Sequence, residues 1–184
     1  DPGSAPYLFY DREKGHYSGV IPEVLQGLVD RQQLAVRFIS NSRKRTEEQI
    51  YQAKADMMML SKSWLQHPEK VIATVPVHMH RSYLYRSTPF AENFSLTALA
   101  RSELLCTRKG YVYPNLQPYI ESKRLIRVDS SSHLSMMKML FKRRCDYVVM
   151  NEYNALNVIN SAHFMQKQLF QSAEPVSMVE LNII

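Results

Sequence analysis

RTEEQIYQAKADMMMLSKSWLQHPEK, residues 45–70, decides how this chain is read. Thr46, Ile50 and Ala53 recur at helical spacing and predict a polar-faced helix. A turn at Lys54 to Asp56 then leads into a short buried strand, Met57 to Leu60. An abrupt polar loop, Ser61-Lys62-Ser63-Trp64, follows. Open parallel sheets bind their ligands just past the carboxyl ends of the strands, so this loop is a candidate site.

Upstream, Tyr7 to Tyr10 predicts a first strand bounded by the charged turn Asp11 to Gly15. Pro22 suits a first helical turn, and Val24, Leu25, Leu28 and Val29 form one apolar stripe down to Gln32. Val36 to Ile39, rich in branched and aromatic residues, predicts a second strand. Asn41 and Ser42 offer capping oxygens to the next helix. Strand, helix, strand, helix, strand is a doubly wound α/β unit with Met57 to Leu60 as its third strand.

Downstream, Val71 to Val77 favours β structure, but Pro76 makes it an edge or crossing strand, and Ser82 to Arg86 alternates Tyr83 and Tyr85 with polar neighbours. From Leu104 the order repeats. Strands are predicted at Leu104 to Thr107, Leu125 to Val128 and Tyr147 to Met150, and a short helix at Leu116 to Glu121. A longer helix is capped from Asp129 and the serines after it, carrying Leu134, Met137, Leu140 and Phe141, and a last one runs over Asn151 to Asn160. Glu174 to Ile184 returns to the first half. The expected architecture is therefore two doubly wound α/β lobes joined by a two-strand hinge: residues 1–88 with 176–184, and residues 89–175, with crossovers near 86–94 and 172–178.

Composition narrows the function. The 184 residues, 45% hydrophobic and 22% charged, are ordinarily globular. No apolar run approaches the roughly 20 residues that span a bilayer, and DPGSAPYLFY lacks a basic region followed by an apolar one. A soluble chain is expected, its export signal removed or never present. The net charge of +6 is scattered, with Lys142-Arg143-Arg144 at a helix end and no nucleic-acid-binding motif, so nucleic acid is not an expected partner. Cys106 and Cys145 are either buried inert thiols or a disulfide between neighbouring strands. The Met57-Met58-Met59 and Met136-Met137-Met139 clusters read as core filler, and His78-Met79-His80 falls short of a copper site for want of a third cluster, so no metal or cofactor is expected.

Five stretches, YSGVIPEVLQGLVD, SRKRTEEQIYQAKADMMML, SKSWLQHPEKVIATVPV, TRKGYVYP and SSSHLSMMKMLFKRRCDYVVMNEYNAL, recur in an order that resembles the bacterial extracellular solute-binding proteins of family 3, periplasmic receptors of the type II binding-protein fold. The resemblance implies that Ser61 and Ser63 face a ligand carboxylate. It places Lys70 near the site of a clamping arginine, which removes the planar two-pronged contact. It also puts Asn151, with Glu152 beside it, where amino-acid receptors often hold the ligand ammonium with an aspartate. Arg43 stands near the family's aromatic platform and is either a ligand-facing cation or a solvated residue before a helix. Trp64 either stacks on a ligand or packs over the hinge; Gly110-Tyr111 either admits an anion to backbone amides or makes a tight turn; Arg108 precedes that pair. Two departures stand out: the link into the second half is short, and no helix follows the returning strand.

The function expected from this resemblance is capture of a small polar or anionic solute by hinge closure, in the periplasm, by a monomer that serves an ABC-type transporter or a sensor partner. The alternatives are a sensory or ligand-less module, whose cleft would be filled by its own side chains, and a dehydratase-like enzyme with Glu152 or His133 as acid or base. No nucleophile elbow, P-loop or metalloprotease motif supports turnover.

Overall fold

The computed structural model describes residues 3–4, 6–32 and 34–184, so the reading of the N-terminal leader falls partly outside them. Strands β1 (Gly3–Ser4), β2 (Leu8–Asp11) and β3 (His16–Ser18) form an antiparallel meander. Its turn is tied by Asp11, whose carboxylate accepts from the amides of Glu13 and Lys14. Helix α1 (Val20–Gln32) starts after Gly19. There φ is +118° and a Cβ would lie 2.5 Å from the Pro6 carbonyl oxygen, so only glycine fits. Ser42 caps α2 (Arg43–Tyr51) by accepting from the Arg45 amide.

A larger sheet follows. Its members are β4 (Met59–Leu60), β5 (His78–Arg86), β6 (Glu103–Arg108), β7 (Leu125–Ser130), β8 (Tyr147–Asn151), β9 (Phe170–Gln171) and β10 (Ser177–Ile183). Helices α3 (Gln117–Glu121), α4 (His133–Phe141) and α5 (Glu152–Ile159) alternate with them. The strand order is β4-β10-β5-β8-β6-β7, with β9 paired to β5. Strands β7, β6 and β8 are parallel, while β5 runs antiparallel to β8 and β10 antiparallel to β5 and β4. The chain thus leaves the first lobe along β5 and returns along β10, and the two crossing strands pair with each other.

The second lobe holds most of the core. Cys106, Val148 and Met150 point to one face, against Met136, Met137 and Leu140 of α4; Leu105, Tyr147 and Val149 point to the other, with Leu116 and Leu125. Strands buried on both faces read as continuous apolar runs, which is why these segments stand out in the sequence. The first lobe has a smaller cluster of Leu60, Leu65 and Ile184, flanked by Met58, Trp64 and Val71. Helix α1 has no buried residue, and Val24 is 61% exposed on it.

Two alternating α/β lobes are as expected, but the first has less sheet than its sequence predicts. Val36 to Ile39 forms no strand. Val36 and Ile39 are exposed, and only Phe38 finds a neighbour, the Tyr17 ring at 5.3 Å. That ring belongs to β3, but the run joins no ladder with it. Val71 to Val77 is likewise irregular, reaching β10 through the Thr74 and Val77 amides and through Thr74, whose carbonyl accepts from Asn182 Nδ2 and whose hydroxyl oxygen accepts from the Ile183 amide. Met57, expected in the core, is exposed. No helix among the described residues is long and apolar enough to cross a membrane.

Of the two readings of the cysteines, the structure shows the bond: Cys106 and Cys145 are joined, with Cα atoms 5.7 Å apart and a sequence separation of 39. Closing a loop of that size restricts the unfolded chain by about 4 kcal/mol. The double substitution Cys106→Ala/Cys145→Ala should therefore lower Tm by on the order of 10 °C in a thermal melt. An unchanged Tm would show that the bond contributes nothing.

Candidate functional site

The polar loop after β4 and the loop after β6 meet. Ser61, at the end of β4, is buried, its hydroxyl 2.9 Å from that of Ser63. A short 3-10 turn over Lys62–Trp64 brings Trp64 back, its amide donating to the Ser61 carbonyl. Arg43, the first residue of α2, donates from one guanidinium nitrogen to the Trp64 carbonyl and from another to the Gly110 carbonyl at 3.5 Å. That second bond crosses between the lobes.

From Gly110 the contacts continue through the second lobe and back. Gly110 takes φ +80° in the turn after β6, where the Tyr111 amide donates to the Arg108 carbonyl. The Arg108 guanidinium lies 5.9 Å from the Tyr111 ring centre, and the Tyr111 ring is 6.2 Å from that of His133, the first residue of α4. On β5, His80 meets Trp64 edge to face at 5.4 Å. Two places along, His78 hydrogen-bonds the Tyr7 hydroxyl at 2.9 Å, and Tyr7 packs against Tyr153 of α5. Three buried nitrogens here, Arg43 Nε, Trp64 Nε1 and His80 Nδ1, have no hydrogen-bond partner.

Six of the nine residues expected at a site therefore lie along this seam: Arg43, Ser61, Ser63, Trp64, Arg108 and Tyr111. Of the other three, Asn151 and Glu152 lie within reach of Tyr7, while Lys70 lies elsewhere. Lys70 sits over the Tyr51 ring at 5.6 Å and lines a depression with Lys44, Glu47 and His67. Asn151 ends β8 as expected, but its Oδ1 caps α5 by accepting from the Tyr153 amide and its Nδ2 donates to the Arg81 carbonyl. Glu152 lines a depression with Tyr85, Leu156 and Gln171. Sequence reasoning missed Tyr7, His78 and His80 as members of the seam. The two histidines alternate along β5 and so share a face, which was the available signal. Among the described residues, no group of three or more His, Cys, Asp or Glu is placed to hold a metal ion.

No protein-family model matches the sequence, and no curated protein matches it either. Solved structures do. A histidine kinase sensor domain with similarity to periplasmic binding proteins superposes with TM-score 0.77 at 18% identity, over 100% of this chain and 78% of that one. The arginine-bound form of truncated ArgBP from T. maritima gives TM-score 0.72 at 14% identity, over 100% and 84%. The periplasmic VFT2 domain of BvgS from Bordetella pertussis gives TM-score 0.70 at 18% identity, over 97% and 74%. The chain has the periplasmic binding protein fold.

Electrostatically the seam is cationic. Burial, and then the nearby His78 and His133, push the His80 pKa down to about 4; burial, and then Arg108, do the same to His133, also to about 4. Burial also lowers Arg43, against the opposing pull of Glu47. A histidine whose folded pKa lies below its unfolded value costs stability on acidification, because the unfolded chain takes the proton first. The loss starts as pH falls below about 6.5 and is complete near pH 4. By pH 5 each histidine should remove on the order of 1–2 kcal/mol. Urea melts at pH 7 and pH 5 should show that decline in the native chain and a flatter one in the double variant His80→Gln/His133→Gln; equal declines would rule these two groups out.

Proposed function

We propose that this chain captures a small polar or anionic solute between its two lobes and presents the captured form to a membrane partner. The observation that carries the reading is the convergence of Arg43, Ser61, Ser63 and Trp64 from one lobe with Arg108 and Tyr111 from the other, around buried nitrogens that lack partners. A ligand stabilises a closed arrangement only through contacts it makes better there, which requires groups from both sides. We divide the lobes at residues 1–88 with 176–184 and 89–175; β5 and β10 carry the chain between them, and the second half of β5 already pairs with β8.

The site we assign comprises Arg43, Ser61, Ser63, Trp64, Arg108 and Tyr111, with His80 added. Asn151 supports it indirectly, by capping α5 beneath Tyr153. Likeness in fold to ArgBP supports solute capture, and we take the partner to be an ABC-type transporter. The Cys106–Cys145 bond suits an oxidising compartment and supports the periplasm. A sensory role is the second reading. It is favoured by the fold shared with a histidine kinase sensor domain and by Arg43 itself, a side chain of the protein that spans the lobes. Catalysis is not assigned, because the candidate acid and base lie in different settings, Glu152 in the depression beside Leu156 and His133 against Tyr111.

A thermal-shift screen of amino acids, organic acids and polyamines tests the reading. A compound present at 100 times its Kd should raise Tm by roughly 5–10 °C. The variant Arg43→Ala should lose most of that shift. A screen in which no compound moves Tm, together with native mass spectra free of any added mass, would overturn solute capture.

A further inference from the structure

We propose that the far end of the second lobe, where the turns leading into β6, β7 and β8 gather their cations, is a docking surface for an anionic lipid membrane. It lies at the opposite ends of these strands from Gly110, roughly 15–20 Å away along strands of five and six residues. The proposal is independent of what the crevice holds.

Backbone bonds hold the three turns together. The Ser102 and Glu103 amides donate to the Lys123 and Arg124 carbonyls, both at 3.0 Å, and the Asp146 amide donates to the Leu104 carbonyl at 2.9 Å. Arg101, Lys123, Arg124, Lys142, Arg143 and Arg144 therefore share one end of the sheet, and all but the half-buried Arg124 are exposed. None of the six enters an ion pair among the described residues. The carboxylates in the same segments are Glu103, Glu121 and Asp146. Two of them tie backbone: Glu103 accepts from the Ala100 amide and Asp146 from the Leu104 amide. Six cations against three carboxylates leave +3 at this end, half of the chain's net +6.

Local structure does not account for these cations. Helices α3 and α4 are each followed by a residue in the left-handed region, Lys123 at φ +57° and Arg143 at φ +55°. The amides of Lys123 and Arg124 bond back to the Ile120 and Tyr119 carbonyls, and those of Arg143 and Arg144 to the Leu140 and Met139 carbonyls. Glycine is the usual residue at that position, because a Cβ is disfavoured there. Helix α2 closes the same way on Ala53, at φ +52°, so the motif itself calls for no charge. A helix dipole favours Lys142 to Arg144 after α4, but it does not reach Arg101, which precedes a strand.

The surroundings favour a lipid surface over a protein face. Met165 is 78% exposed in the segment after α5, and that segment returns to this end because Phe164 packs on Phe141, their rings 5.3 Å apart. The exposed Lys167 closes the same turn, its amide donating to the Phe164 carbonyl. An exposed apolar side chain among basic ones enters the headgroup layer of an anionic bilayer while the cations gather its lipids. A protein interface is depleted in charge at its centre, whereas cations from three turns fill this surface.

The whole chain is tested by co-sedimentation with vesicles of phosphatidylcholine alone and with about one third phosphatidylglycerol added. At low salt it should bind the anionic vesicles at least about 10-fold more tightly, and about 0.5 M salt should release it. Lys123→Gly/Arg143→Gly removes two cations and puts the preferred residue after both helices. It should weaken vesicle binding by on the order of 25-fold while Tm holds or rises. Met165→Ser should weaken vesicle binding by about 5-fold and leave binding to soluble polyglutamate unchanged. Tight binding to polyglutamate with none to the vesicles would assign this end to an acidic protein and overturn the membrane reading. Equal binding to both kinds of vesicle, or a double variant that binds as well as the native chain, would overturn it too. None of these results bears on the solute screen, so the two readings fail separately.

Discussion

The pairing of β5 with β10 is the constraint on which the rest depends. Five consecutive register pairs, from Ser177 opposite Ser82 to Leu181 opposite His78, join the strand that leaves the first lobe to the strand that returns to it. The same register extends one sheet through both lobes, because β10 also pairs with β4 and β5 also pairs with β8. It fixes which side chains of β5 face the seam. His78 and His80 lie two apart and turn the same way, toward Tyr7 and Trp64. A slip of one residue would turn both to the opposite face.

Stability is distributed unevenly around that pairing. The second lobe buries Leu105, Cys106, Leu116, Met136, Met137 and Val148 completely, all at 0% exposure, and carries the disulfide. The first lobe has a three-residue buried cluster and an α1 with none. Local opening follows the density of buried apolar contacts, so the first lobe is the part expected to open at lower cost. Under the proposed solute capture, the firm lobe would present Gly110, Tyr111 and His133, and the softer one would move Arg43 and Trp64 against them.

The second lobe was legible in the sequence because its central strands β6 and β8 are buried on both faces. Tyr147 to Met150 and Leu104 to Thr107 are continuous apolar runs, and the structure extends them by only one residue or so at an end. The first lobe was less legible for a physical reason. Val36 to Ile39 has the composition of a strand, but propensity describes a fit to a half-buried sheet, and this exposed run meets β3 through one ring contact without pairing to it. At the candidate site, position was easier to read than engagement. The loop Ser61 to Trp64 and the turn at Gly110 were visible as polar breaks after apolar runs. That the Asn151 amide is occupied by a helix cap, or that Lys70 leans on Tyr51, depends on side-chain partners that spacing does not encode.

The central claim is that a solute held by Arg43 and its neighbours brings the two lobes together. A distance measurement between spin labels on the two lobes tests it most directly, with cysteines introduced by Lys54→Cys beyond α2 and Lys138→Cys on α4, both exposed positions. Saturation with the tightest-binding solute should shorten and narrow the distance distribution, and Arg43→Ala should abolish the change. A distribution that does not move at saturation would contradict the account.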